Sequence, residues 1–374
     1  MLSWPSVLAW RLRRQHLTRR VPRERALGVV ADICGLHAQL AASAELTLWA
    51  RVDGLERGWV DRALSEDRAL VKTWAMRGTL HLLRADELAL FAGAQGALPP
   101  RWEKAGWRRG FGVTEDEVHG ILAAIPKALE DEPLTRRQLA DAVARELGAE
   151  HLSEKLGEGF GALLKPSAFR GELCFAASEG RTVRFTRPDR WIDGWEPLAP
   201  AQAADAVTRR YLAAYGPATR EAYGRWLGTP SAAVAGRLLA RLGDEVAETE
   251  LEGVKVWARA ADLDDLRTAE PEGVVRLLPA FDAYVVAAPR DEAAVLAPEQ
   301  RERVYRPQGW LSPVLVVDGR IAGVWRHERS GDVLRVEIEP FETPSKQVRA
   351  AAEAEAERLA AFLGGAVEPA WTIG

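Results

Sequence analysis

The sequence predicts an α+β chain, and three observations predict it. A pattern of three helices followed by a β-hairpin recurs at intervals of about 80–90 residues. Past Pro271 the texture changes to strands and turns, as in a small β-rich unit. The chain has 374 residues, of which 47% are hydrophobic and 28% charged, enough apolar material for several packed units and too much for a disordered chain.

The middle copy of the repeat is the clearest. Val118, Ile121, Leu122, Ile125 and Leu129 form one apolar stripe, which predicts a helix over 116–129. After Pro133, Thr135 and Gln138 stand at capping-box spacing and open a second helix. A third is predicted from Ser153 to about Leu164, before Pro166. Residues 172–177, the turn Ser178-Glu179-Gly180 and residues 183–186 then read as a hairpin.

The third copy has the same order. A helix over 205–215 is broken by Gly216-Pro217, and Thr219 opens the next, up to Trp226. Thr229-Pro230 is expected to start a helix running to Leu242, with proline at its favoured first position. Residues 246–251 and 254–257 flank the turn Glu252-Gly253. In the longer first copy, helices are predicted over 7–17, 24–36 and 45–52, the last with Ser43 as N-cap. A short helix over 60–65 and strands over 71–76 and 79–83 follow.

Three helices and a hairpin make a winged helix. The predicted architecture is therefore tandem winged-helix motifs (helix-turn-helix with a β-hairpin wing) in 1–100, 101–200 and 201–270. A small C-terminal β-barrel-like unit occupies 271–374, with strands near 274–278, 314–317, 321–325 and 333–338 and a closing amphipathic helix over 346–363.

Composition narrows the function classes. No apolar run reaches the roughly 18 residues needed to cross a bilayer, and no secretory signal is visible, so a cytoplasmic protein without membrane partners is expected. Cys34 and Cys174 stand among apolar neighbours with no paired spacing, which predicts buried thiols rather than disulfides or zinc ligands. His16, His119, His151 and His327 show no metal-ligand spacing, so neither metal nor cofactor is expected.

Net charge is −4, yet its distribution is uneven. Residues 11–25 hold seven arginines, Arg13 and Arg14 among them, against the single acid Glu24. Arg101, Lys104, Arg108 and Arg109 form a second cluster around Trp102 and Trp107, and Arg181, Arg184, Arg187 and Arg190 a third. Basic clusters on winged helices fit a duplex, with affinity carried by arginine–phosphate contacts. The fold alone would equally suit a non-catalytic transcriptional regulator or a protein–protein scaffold.

Four blocks go further. Leu36-His37-Ala38-Gln39-Leu40, the stretch 71–83 around Met76-Arg77-Gly78-Thr79-Leu80-His81, the run 210–219 and the run 277–282 occur in the order found in AlkZ/YcaQ-type DNA glycosylases, which the chain resembles over nearly its whole length. The resemblance implies a monomeric, monofunctional glycosylase of three winged helices and a small β-barrel. Its substrate would be double-stranded DNA containing alkylated purines. In that family the lesions are N7-alkylguanines, including bulky adducts and interstrand crosslinks made by natural-product genotoxins. The family's catalytic motif is glutamine, an apolar residue, then glutamine or aspartate. Here His37, Ala38 and Gln39 occupy those positions, and the first departs from the pattern.

An N7-alkylated guanine is already cationic, so its glycosidic bond breaks without a strong general acid. Gln39 can orient a water by donating and accepting, and a neutral His37 can take its proton. Spacing of two aligns these side chains if the segment is extended but sets them about 200° apart in a helix, and Gly35 favours departure from the helix. His37 could instead be a satisfied polar group covering the end of the second helix. No lysine stands in the motif, so strand cleavage through a Schiff base is not expected. Candidate DNA contacts are Arg77 in a turn with Gly78, Thr79 and His81 on one strand face, and Arg13, Arg14, Arg181 and Arg184 from the basic clusters. Two hairpins, at 178–180 and 330–332, are candidates for entering the minor groove.

Overall fold

A computed structural model describes residues 1–158, 161–180 and 182–372. The chain divides into two compact units. One comprises Met1–Val60, Arg209–Trp226 and Ser231–Gly374; the other comprises Asp61–Thr208 and Leu227–Pro230.

The second unit follows the helical pattern closely. Thr114 caps the helix Glu115–Ala128 and Thr135 caps Arg136–Leu147, both through complete capping boxes. Gly148, at φ 61°, ends the latter in the left-handed conformation. The helix His151–Gly157 follows; it starts and ends earlier than predicted, residues 162–164 form a turn, and 159–160 lie outside the described residues. Val118, Ile121, Ile125, Leu139, Val143, Leu152, Leu156 and Phe185 pack into one core, which buries the apolar stripe of each helix. The hairpin pairs Cys174–Phe175 with Arg184–Thr186, and Leu134–Thr135 adds a strand beside Arg184 and Phe185. Strands Leu70–Trp74 and Leu80–Arg84 pair antiparallel, and Lys72 pairs with Phe175.

Thr114→Ala is expected to cost about 1 kcal/mol, the usual loss of a helix cap, read by urea unfolding. The backbone N–H of Thr114, donating to Glu117 at 2.7 Å, holds the Glu117 carboxyl below its ordinary range, with His151 adding to the effect. The depressed value fixes the sign. Glu117's share of the cap is present above the ordinary carboxylate pKa and lost as pH falls through the lowered folded value.

In the first unit Ser3 caps the helix Trp4–Arg14, whose Val7 and Trp10 pack on Leu251, Val256 and Leu266. Leu251 and Val256 belong to the antiparallel hairpin Val246–Leu251 and Val254–Arg259. The helix Ala41–Trp49 begins earlier than the sequence predicts. Ser43 is buried inside it and the cap position is Leu40, which offers no side-chain bond. Ala41 and Ala42 are strong helix formers and extend the helix past the serine. Likewise Ser231, not Thr229, caps the helix Ala232–Ala240, accepting from the Val234 amide, and Pro230 lies outside.

The C-terminal strands form an open sheet rather than a closed barrel. Its order is Val275–Leu278, Val314–Val317, Arg320–Ser330, Val333–Pro340, Ala366–Trp371. The first four run antiparallel and the last pairs parallel with Val333–Pro340. Leu334, Val336 and Ile338 alternate inward, the period of a half-buried strand. The helix Lys346–Leu363 packs against both edge strands through Ala352, Ala356 and Leu359, which covers the edges without closure.

Candidate active site

The helix Ala26–Asp32 ends in a turn where Cys34 and Gly35 both adopt positive φ, 59° and 94°. Gly35 tolerates this freely, whereas a side chain there would be strained. Two donors from the run 210–219 satisfy the carbonyls that the helix end leaves over. Tyr215 donates its hydroxyl to Ile33 O at 2.5 Å, and Arg210 reaches Ala31 O at 3.4 Å. Arg11, itself buried, pins the following turn by donating to the carbonyls of Gly216 and Pro217, and burial lowers its pKa. The same interior pushes the Tyr211 hydroxyl up to about 12, so it stays protonated.

The chain leaves this turn extended as Leu36–His37 and bends at Gln39 before the helix Ala41–Trp49. The chain is extended at Leu36–His37 but not through Gln39, so neither alternative describes the whole motif. His37 is 7% exposed, whereas Gln39 is exposed, so the two differ in access to solvent.

His37 lies flat against Phe281, with ring centroids 4.9 Å apart and planes within 5°. Phe281 reaches this position through a left-handed backbone, φ 58°, a conformation that costs a non-glycine residue about 1–3 kcal/mol. Its neighbour Asp282 holds that backbone in place. Both carboxylate oxygens accept from Arg51 at 2.8 Å, and one also accepts from the Tyr284 amide at 2.8 Å. Arg51 and Asp282 are fully buried, and Arg51 further donates to Thr47 O. Tyr284 donates its hydroxyl to Gly319 O at 2.6 Å. The edge of Trp310 meets Phe281 at 5.2 Å, and Trp310 is 47% exposed.

The arginines of 11–25 divide: Arg11 and Arg20 are engaged in the interior, whereas Arg13, Arg14, Arg19, Arg23 and Arg25 remain exposed. Arg20 grips the buried Glu355 at 2.5 and 2.6 Å, and Arg23 pairs with Glu56 at 2.8 Å. Arg13 pairs with Glu272 at 2.9 Å, and Arg14 donates to Ala213 O at 2.8 Å, although both side chains remain exposed. Carboxylates from distant parts of the same unit match much of the formal charge.

Arg77, Thr79, His81 and Arg184 belong to the other unit. Arg77 sits at φ 61° in the turn Met76–Gly78, and Gly228 packs so closely on its backbone that a Cβ there would lie 2.8 Å from the Arg77 nitrogen. Thr79 donates to Met76 O at 3.1 Å, and His81, 3% exposed, has Nδ1 2.9 Å from Thr79 O. Arg184 clasps its own hairpin through Ala177 O and Glu179. Arg181 lies outside the described residues. Sequence reasoning missed Arg51, Phe281 and Trp310. The run 277–282 contained the signal for Phe281, whereas nothing local marks Trp310.

A family model described as DNA glycosylase AlkZ-like matches residues 30–362. A Streptomyces sahachiroi protein described as an interstrand DNA cross-link repair glycosylase is 38% identical over 327 residues, covering 86% of this chain and 87% of its own. The solved structure of the Streptomyces sahachiroi DNA glycosylase AlkZ superposes with a TM-score of 0.89 at 34% identity, covering 100% of this chain and 99% of the other. The class is that of DNA glycosylases. The chain belongs to the AlkZ-like family among them.

Proposed function

We propose that this protein is a monofunctional DNA glycosylase that hydrolyses the N-glycosidic bond of N7-alkylguanines, bulky adducts and crosslinks included. The observation that carries this reading is its likeness, over most of both chains, to a glycosylase of interstrand cross-link repair. Gln39, exposed at the bend, orients the attacking water, and His37 accepts the proton that the water gives up. The alkylated guanine leaves as a neutral base, and the sugar carbon keeps the water oxygen. No lysine takes part, so the abasic strand stays intact.

In this reading the three-helix-and-hairpin segments act as winged helices that grip the duplex, and the protein works as a monomer. Of the two candidate hairpins, the one turning at 330–332 suits the minor groove better. Its strand is exposed from Arg326 onward, and Val333 offers an apolar tip. An open surface around the motif suits adducts too large for a snug pocket.

The test incubates the protein with duplexes carrying N7-methylguanine or a bulky N7-guanine adduct and measures free modified base. Release with unbroken strands is expected, and binding should weaken steeply between 50 and 200 mM salt, on the order of tenfold or more. Salt-sensitive binding without base release would instead identify a DNA-binding regulator.

A further inference from the structure

Trp310 is among the few large apolar side chains left open to solvent, and it is not loosely held. The turn Pro307–Gly309 carries it, with Gln308 at φ 59°. The Arg306 amide donates to Trp310 O at 2.8 Å, and the Trp310 amide donates to Pro307 O at 3.3 Å. Tyr305 bridges to Leu311, and Ser312 donates its hydroxyl to Arg303 O at 2.7 Å, so both flanks of the turn are tied down. A half-exposed indole carried on an anchored turn and packed against Phe281 loses little freedom when a ring stacks on it.

Its position gives that ring a purpose. His37, Phe281 and Trp310 form a continuous aromatic series from the buried imidazole to solvent, with centroid steps of 4.9 and 5.2 Å. The whole Phe281 ring separates Trp310 from His37. The two centroid steps together exceed the reach of a methyl group on N7 but not that of a fused-ring substituent.

We propose that Trp310 is a specificity-determining residue that stacks on the planar aromatic part of a bulky N7-guanine adduct and contributes nothing to small lesions. The proposal rests on the glycosylase reading above.

The experiment measures kcat/KM for base release from two duplexes, one with N7-methylguanine and one with the N7-guanine adduct of aflatoxin B1, a fused planar ring system. Trp310→Ala should lower the value for the planar adduct about tenfold, the order expected for one lost stacking partner, and leave N7-methylguanine within about twofold. Trp310→Phe, which keeps a ring, should recover most of the loss, and thermal melting of both variants checks folding. Equal losses on both duplexes, no loss on either, or wild-type activity on the methyl lesion alone would overturn the role of Trp310 and leave the glycosylase reading standing. Wild-type protein that releases neither base would overturn both.

Discussion

Base release from N7-methylguanine duplexes is expected to fall by roughly tenfold or more in Gln39→Ala and in His37→Ala, as it does when a water-positioning or proton-accepting group is lost. The two losses should differ in character. Gln39 is exposed at a bend, so its removal leaves the packing intact and lowers kcat at an unchanged melting temperature. His37 is flat against Phe281, and alanine there also empties the stack and lowers the melting temperature. His37→Gln restores the motif that the resemblance implies and should keep release well above the alanine level. Normal release by the double alanine variant would remove both residues from the site.

Asp282→Ala should lower stability by about 3–5 kcal/mol, because it leaves the Arg51 guanidinium buried without its carboxylate. Urea unfolding followed by circular dichroism reads this directly. The paired replacement Arg51→Met with Asp282→Leu should be less damaging than either single change, since it removes both charges from the interior together. A loss below about 1 kcal/mol in Asp282→Ala would show that water reaches the pair. Asp282 also fixes the strained backbone of Phe281, so partly folded variants should lose the face that supports His37.

What the sequence disclosed follows from the range of the forces involved. The helices 115–128, 136–147 and 346–363 were readable because their stripes and caps act within four residues. Ser43 misled because a capping side chain loses to two alanines that favour starting earlier. The strand Ala366–Trp371 escaped notice because Pro369 breaks its pattern, and an edge strand tolerates such a residue. The barrel expectation failed on the same point, since strand count and alternation do not say whether a sheet closes.

The candidate site was half legible. Gly35 predicted the departure from the helix, whereas the spacing of His37 and Gln39 left extended and helical readings open. Glu355, Glu272 and Glu56, which pair with Arg20, Arg13 and Arg23, are remote in sequence, so the local count of arginines does not show them. Phe281 and Trp310 approach His37 only through tertiary structure, which no local pattern encodes.

The first unit is assembled from three separate stretches of chain, and this bears on the order in which the protein matures during synthesis. His37 emerges from the ribosome early, but Phe281 follows only about 240 residues later, and Glu355, the partner of Arg20, later still. The nascent motif therefore has no scaffold until translation is nearly finished. An interrupted polypeptide would carry the His37–Gln39 segment without the Phe281 ring that packs against it.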